Sequence, residues 1–211
     1  MSLNAPMVYI VDDDVNFRES LIELVSTMGY KVNGFSSAES FLKERSIRRP
    51  ACLLLDIYLP HLDGFALQGE LQGKGIALPI IFITGHGDVP MSVKAIKKGA
   101  VDFLLKPFNT KYLRAAIISA LKQDERNIKQ ESQQKKIRLY ISSLTPREHE
   151  VMLQVITGKL NKQIAAALGT AEKTIRKHRG RVMKKMHVSS VVNLARILEK
   201  AGIVYRPPSL L

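Results

Sequence analysis

No stretch of this 211-residue sequence approaches the roughly 18 consecutive apolar residues that a membrane span needs. The opening MSLNAPMVYIVDDD runs straight into carboxylates, with no basic region ahead of an apolar run and no cleavage site. An exported or membrane-spanning product is not expected, and the cytoplasm is the expected compartment. Cysteine occurs once, as Cys52 inside the apolar run ACLLLD, so a disulfide-stapled fold is excluded and a buried structural thiol is expected. The five histidines have no metal-ligand spacing; His61 and His86 are at most the border of a pocket. Gly73-Lys74-Gly75 lacks the earlier glycine and the following Ser or Thr of a phosphate-binding loop, and reads as a plain loop. No nucleophilic triad and no internal repeat is visible.

What is present is globular in composition, with 45% hydrophobic and 24% charged residues, at a length that suits two domains. The net charge of +13 is unevenly shared. Residues 1–122 hold 14 Lys+Arg against 12 Asp+Glu, net +2, whereas residues 123–211 hold 18 against 7, net +11. A basic excess of that size on a small domain suits a polyanion, most often nucleic acid; a solvated basic surface is the other reading.

Apolar runs and amphipathic stretches alternate from the start: MVYIVD, a helix near 15–28, KVNGF, a helix near 37–45, ACLLLD, a helix near 64–73, PIIFIT, a helix near 89–99, VDFLL and a helix opening near 110. Apolar runs without polar alternation are strands buried on both faces, so the pattern predicts a doubly wound parallel sheet over residues 1–122. Asp12 and Asp13 follow the first strand, Asp56 the third, Thr84 the fourth and Lys106 the fifth. Ligands of such sheets bind beyond the carboxyl ends of the strands, where these residues would converge. Residues 123–141, rich in Lys, Gln and Glu, read as an extension of the fifth helix that loosens into a solvated tether. From 142 to 203 the pattern is helical throughout. Thr145 before Pro146 suits an N-cap with proline in the first helical position. Two short helices around Gly169, the second densely basic, match a helix-turn-helix. The tail, 204–211, reads as frayed.

Adjacent carboxylates Asp12, Asp13 and Asp14 repel one another, and folding them together calls for solvent or a cation; magnesium accepts one or two carboxylates plus phosphate oxygens. Asp13 or Asp14 could instead cap the following helix. The combination VDDD, LLLDIYLPHLDG and IFITGHGDVPMSVKAIKKGAVDFLLKPF resembles bacterial response-regulator receivers of FixJ type over about residues 6–122. The resemblance implies a flavodoxin-like sheet of order 2-1-3-4-5 and a phosphoacceptor at Asp56. It further implies Mg2+ (or Mn2+) held by Asp12 through water and directly by Asp13, Asp56 and the Tyr58 backbone carbonyl. Lys106 would stabilise the phosphoryl oxygens, through a cis bond to Pro107, and Thr84 would bond the product phosphate. Phe103 would rotate inward as the switch. The plain alternatives are core packing for Phe103 and a surface salt bridge for Lys106.

The segment LTPREHEVMLQVITGKLNKQIAAALGTAEKTIRKHRGRVMKKMHVSSVVNLARIL resembles the four-helix LuxR-type DNA-binding domain of the FixJ/NarL family over about residues 142–203. Glu148, Gly158, Asn161-Lys162, Ile164-Ala165, Thr174-Ile175, His178 and Lys185-Met186 match its pattern. At helical spacing Ile175, Val182 and Met186 form an inward stripe, leaving Lys173, Arg176, Lys177, Gly180 and Lys184 outward. Arg176 and Lys177 are the candidates for base edges, and Lys162, Lys173, Thr174, Arg181 and Lys184 for the DNA interface more broadly, chiefly phosphates. The family's capping serine is replaced by Ala171, so Thr170 is expected to cap. Gly180 costs roughly 0.5–1 kcal/mol relative to alanine and is either an allowance for close approach to DNA or merely tolerated.

The resemblance implies a two-component transcription regulator, not an enzyme beyond assisting its own phosphorylation and dephosphorylation. Its implied partners are a sensor histidine kinase, promoter DNA, a second copy paired through residues near 89–105 on phosphorylation, and RNA polymerase, with no membrane. The competing readings are a magnesium-dependent aspartyl-phosphate phosphohydrolase, which Asp56-Ile57-Tyr58 opposes by lacking a second carboxylate two residues on, and a DNA-binding regulator indifferent to phosphate.

Overall fold

A computed structural model describes residues 5–44, 46–86 and 88–203; the tail at 204–211 lies outside them. The chain divides into two compact units, Met1–Lys129 and Gln130–Leu211.

The first unit holds one parallel sheet of order β2-β1-β3-β4-β5, the order anticipated for a flavodoxin-like fold. Its strands are β1 (Met7–Val11), β2 (Lys31–Phe35), β3 (Ala51–Asp56), β4 (Ile80–Thr84) and β5 (Asp102–Leu105). Successive side chains of a strand face opposite sides, and both sides are covered. Tyr9, Val11, Leu53, Leu55, Ile80 and Phe82 pack with residues of α2 (Ala38–Leu42), α3 (Gly64–Gly73) and α4 (Val89–Lys97). Val8, Ile10, Cys52, Leu54, Ile81 and Ile83 pack with α1 (Val15–Thr27) and the first turns of α5 (Thr110–Ser142). Hence every residue of β3 is buried, which is why ACLLLD shows no polar alternation, and Cys52 is the buried thiol expected. Burial, followed by the nearby charge of Asp124, pushes that thiol far above its ordinary range.

Three local expectations change. The helix expected near 37–45 ends at Leu42, with Lys43 as its C-cap. Only Ala38 and Phe41 of α2 are buried, and Lys43 and Glu44 offer the core nothing. Gly73-Lys74-Gly75 is a helix stop rather than a plain loop. Gly75 adopts φ +70, its N–H donates to the Gln72 carbonyl, and the Ile76 N–H reaches back to Leu71, the paired bonds of a Schellman ending. The linker expected over 123–141 is helical as anticipated, but it continues the fifth helix without loosening, because α5 runs unbroken for 33 residues. Its Lys, Gln, Glu and Arg residues are strong helix formers.

In the second unit α6 (Pro146–Ile156), α7 (Asn161–Ala167), α8 (Glu172–Lys185) and α9 (Val191–Lys200) enclose Val151, Met152, Val155, Ile164, Ile175, Val182, Met186, Leu194 and Leu198, with Ile137 of α5. Thr145 caps α6 in a capping box with Glu148. Thr170 does not cap α8: Ala171 occupies the N-cap and no side chain bonds there. The Thr170 N–H instead donates to the Ala165 carbonyl, closing the end of α7.

Candidate functional site

At the carboxyl edge of the sheet, the ends of β1, β3 and β5 bring three charged side chains into one cluster. Lys106 Nζ stands 2.7 Å from Asp12 Oδ2 and 2.7 Å from Asp56 Oδ2. Asp12 and Asp56 are buried. Asp13 is exposed beside them, and one carboxylate oxygen from each of Asp12, Asp13 and Asp56 lies within 4.8 Å of the others. The Tyr58 N–H donates to Asp56 Oδ1 at 3.1 Å and the Asp14 N–H to Asp12 Oδ1 at 3.0 Å, which aims the remaining carboxylate oxygens at Lys106. Asp14 is spent on capping α1, accepting from the Asn16 and Phe17 N–H groups. Of the two aspartates weighed as caps, it is Asp14 that caps.

Three carboxylates against one ammonium leave the pocket with surplus negative charge. Burial pushes the Asp12 carboxyl above its ordinary range; Lys106 pulls the other way, and the charge of Asp56 adds to the rise. Burial opposes the charge on Lys106, but its hydrogen bonds to Asp12 and Asp56 outweigh that and hold the ammonium above the ordinary lysine value. Such a set of hard, crowded oxygen donors fits a divalent cation of magnesium type, which takes one or two carboxylates and keeps waters.

Thr84 is fully buried at the end of β4. Its hydroxyl is engaged by its own loop, donating to the His86 carbonyl at 3.0 Å and accepting from the His86 N–H at 3.2 Å. His86 is exposed, its ring edge-on to the exposed Tyr58. His61 is exposed in a left-handed conformation. Phe103 is partly buried against the Phe82 side of the sheet, and the Lys106-Pro107 bond is cis.

Sequence reasoning missed three supports of this pocket. Lys106 Nζ sits 3.8 Å from the centroid of the Phe17 ring, an aromatic whose place in the first turn of α1 was the available signal. Arg18 Nη1 donates to the Asp12 carbonyl at 2.6 Å. Gly64 opens α3 against the β3 end: an added Cβ would overlap the Asp56 carbonyl oxygen and stand 3.1 Å from Ile57 Cα. The glycine following Asp63 was the trace of that close approach.

In the second unit Ile175, Val182 and Met186 are buried as anticipated. Lys162, Lys173, Arg176, Lys177, Arg181 and Lys184 are exposed and Thr174 half-buried. Arg176 makes only an exposed contact with Glu172, at 3.4 Å. A partly buried ion pair anchors α8: Lys185 Nζ lies 2.6 Å from the buried Glu148 Oε2 and donates to the Ser143 carbonyl at 2.9 Å. The hydrogen bond from Lys185, then that from the Thr145 N–H, hold the Glu148 carboxyl below its ordinary range.

Residues 8–118 match the family model for the response regulator receiver domain, and residues 142–198 that for bacterial regulatory proteins of the luxR family. The chain is a LuxR-type response regulator. This response regulator is 44% identical over 197 residues to nodulation protein W of Bradyrhizobium diazoefficiens, covering 93% of the chain and 87% of that protein. It is 42% identical to the response regulator TodT of Pseudomonas putida (95% and 88% covered) and 39% identical to the transcriptional regulatory protein FixJ of Bradyrhizobium diazoefficiens (93% and 96%). Among solved structures it resembles the response regulator StyR, with TM-score 0.77 and 41% identity over 93% of this chain and 100% of that one. Full-length FixJ from B. japonicum gives 0.56 and 39% over 94% and 98%. Membership in this family implies a sensor kinase as partner of the receiver and DNA as partner of the basic domain. Receivers generally bind magnesium at an acidic pocket, and Asp12, Asp13 and Asp56 form such a cluster here. Among the described residues no helix is long and apolar enough to cross a membrane.

Proposed function

We propose that Asp56 is the phosphoacceptor and that its phosphorylation switches promoter binding by α8. A carboxylate oxygen of Asp56 forms a bond to phosphorus as the nitrogen–phosphorus bond of the kinase phosphohistidine breaks, and the imidazole keeps the electron pair and takes a proton. Asp13, Asp56 and the Tyr58 carbonyl, with Asp12 through water, would hold Mg2+ or Mn2+, which would offset the negative charge gathered during the transfer. Lys106, already hydrogen-bonded to both carboxylates, redirects an ammonium N–H toward the arriving oxygens. The Thr84 hydroxyl then leaves the His86 carbonyl for the phosphate, and Phe103 turns into the space behind it.

The observation that carries this reading is the bridging of Asp12 and Asp56 by one lysine at 2.7 Å, because a preorganised cation beside a buried carboxylate is what transfer of a charged group requires. Pairing of two receivers is assigned to the face near residues 89–105, where Val89, Val93, Ile96 and Leu105 are exposed. Paired chains would engage paired half-sites, with Arg176 and Lys177 at base edges, Lys162, Lys173, Thr174, Arg181 and Lys184 along the DNA, and RNA polymerase as the further partner in the cytoplasm.

The test treats the full chain with acetyl phosphate and magnesium and follows intact mass, oligomeric state and DNA affinity. The expected result is one phosphoryl group, absent from Asp56→Asn, with dimers and tighter DNA binding. Equal labelling of Asp56→Asn, or Asp56 labelling without any change in assembly or affinity, would overturn the proposal.

A further inference from the structure

We infer that Gly180 is a specificity-determining residue of the DNA interface: the missing side chain lets the α8 backbone seat against base edges in the major groove. The inference rests on the proposed docking of α8 and adds what that docking demands of one position. Gly180 lies well inside α8, between Glu172 and Lys185, where glycine is a poor helix former. Two internal reasons could retain it, and neither applies. Its φ is not in the left-handed region, unlike those of Gly158 and Gly169 in the same unit, and a Cβ built on it meets nothing within 4 Å. Neither backbone conformation nor packing within the chain asks for glycine here.

The position itself points outward. Gly180 is exposed, and of its four helical neighbours one turn away Arg176, Lys177 and Lys184 are exposed cations while Met183 leans toward the core; the position lies on the side opposite the buried Ile175, Val182 and Met186. The basic face therefore has a gap at its centre, flanked along the axis by groups long enough to reach phosphates and base edges on either side. A polyanion that needed only charge would be served by another lysine there. A gap flanked by cations fits a surface that comes close to the helix axis between two charged rails, as the floor of the major groove does between its phosphate strands. The glycine thus converts a phosphate-binding face into one that reads bases.

The test uses the full-length chain after acetyl phosphate treatment and the duplex that it enriches from a random-sequence pool, with a scrambled duplex of equal length at the same salt. Gly180→Ala adds a helix-favouring methyl group, so the thermal midpoint of the second unit should not fall. The ratio of affinities for the enriched over the scrambled duplex should fall about tenfold, the scale of one lost base contact. Gly180→Lys should lower that ratio further while raising affinity for the scrambled duplex. An unchanged or higher ratio in Gly180→Ala overturns the inference. Arg176→Ala and Lys177→Ala separate it from the reading beneath it. If both leave the ratio intact, α8 does not read the duplex and the proposed docking fails; if they lower it while Gly180→Ala does not, only the role of Gly180 fails.

Discussion

Asp124 offers the sharpest test of how the first unit is held together. Its side chain is fully buried in α5 and accepts from Arg49 Nη2 at 2.6 Å, from Arg49 Nε at 3.0 and 3.1 Å and from the Ala51 N–H at 2.8 Å. It ties α5 to the first residue of β3. Asp124→Ala deprives the Arg49 guanidinium of that partner and leaves the Ala51 N–H without its acceptor. Breaking a buried pair costs about 3–5 kcal/mol and orphaning a buried N–H about 1–3 kcal/mol. The two overlap, and the Arg49 side chain keeps 23% exposure, so a loss of about 3 kcal/mol is expected, near 10 °C in midpoint for a domain of this size. Hydrogen exchange of the β1 and β3 amides in the full chain is the suitable assay, since it separates the two units where a bulk signal mixes them. Glu125→Ala, exposed next door, should stay within about 0.5 kcal/mol. Arg49→Met with Asp124→Leu should recover much of the loss, because an apolar pair leaves no uncompensated charge. If Asp124→Ala proves as mild as Glu125→Ala, the reasoning is refuted.

Glu148→Gln should cost the second unit about 1.5–3 kcal/mol in thermal or urea unfolding, the range for hydrogen bonds to charged groups. Because the folded carboxyl titrates below its unfolded value near 4.3, its stabilisation is complete above that value and is lost as pH falls through the folded pKa; acid unfolding of Glu148→Gln should lack this limb, and an identical acid profile would contradict it. Gly64→Ala should destabilise the receiver by about 1–3 kcal/mol through overpacking and slow phosphorylation by acetyl phosphate, since the β3 end must shift; parental rates would count against the close approach. Saturating magnesium should stabilise the first unit by mass action, by about 2.7 kcal/mol at a hundredfold excess over Kd, and so raise its midpoint, with reversal by EDTA and a weaker response in Asp13→Asn. No shift in the parent chain would refute the cation site.

Local pattern alone determined the alternation of strands and helices, the two-sided burial of β3, the Thr145 cap with Pro146, and the inward stripe of α8, because strand and helix periodicities are properties of a few consecutive side chains. The residues of the acidic pocket were legible because each stands at the end of an apolar run. Tertiary structure decided what depends on distant partners. Lys106 meets Asp12 across 94 positions and Asp56 across 50, so no window of sequence carries that geometry. Asp124 reads as one more polar residue of a solvated helix until β3 arrives to bury it. Charge and hydrogen-bonding groups take their meaning from the neighbours that folding supplies, whereas apolar periodicity is written in the chain before it folds.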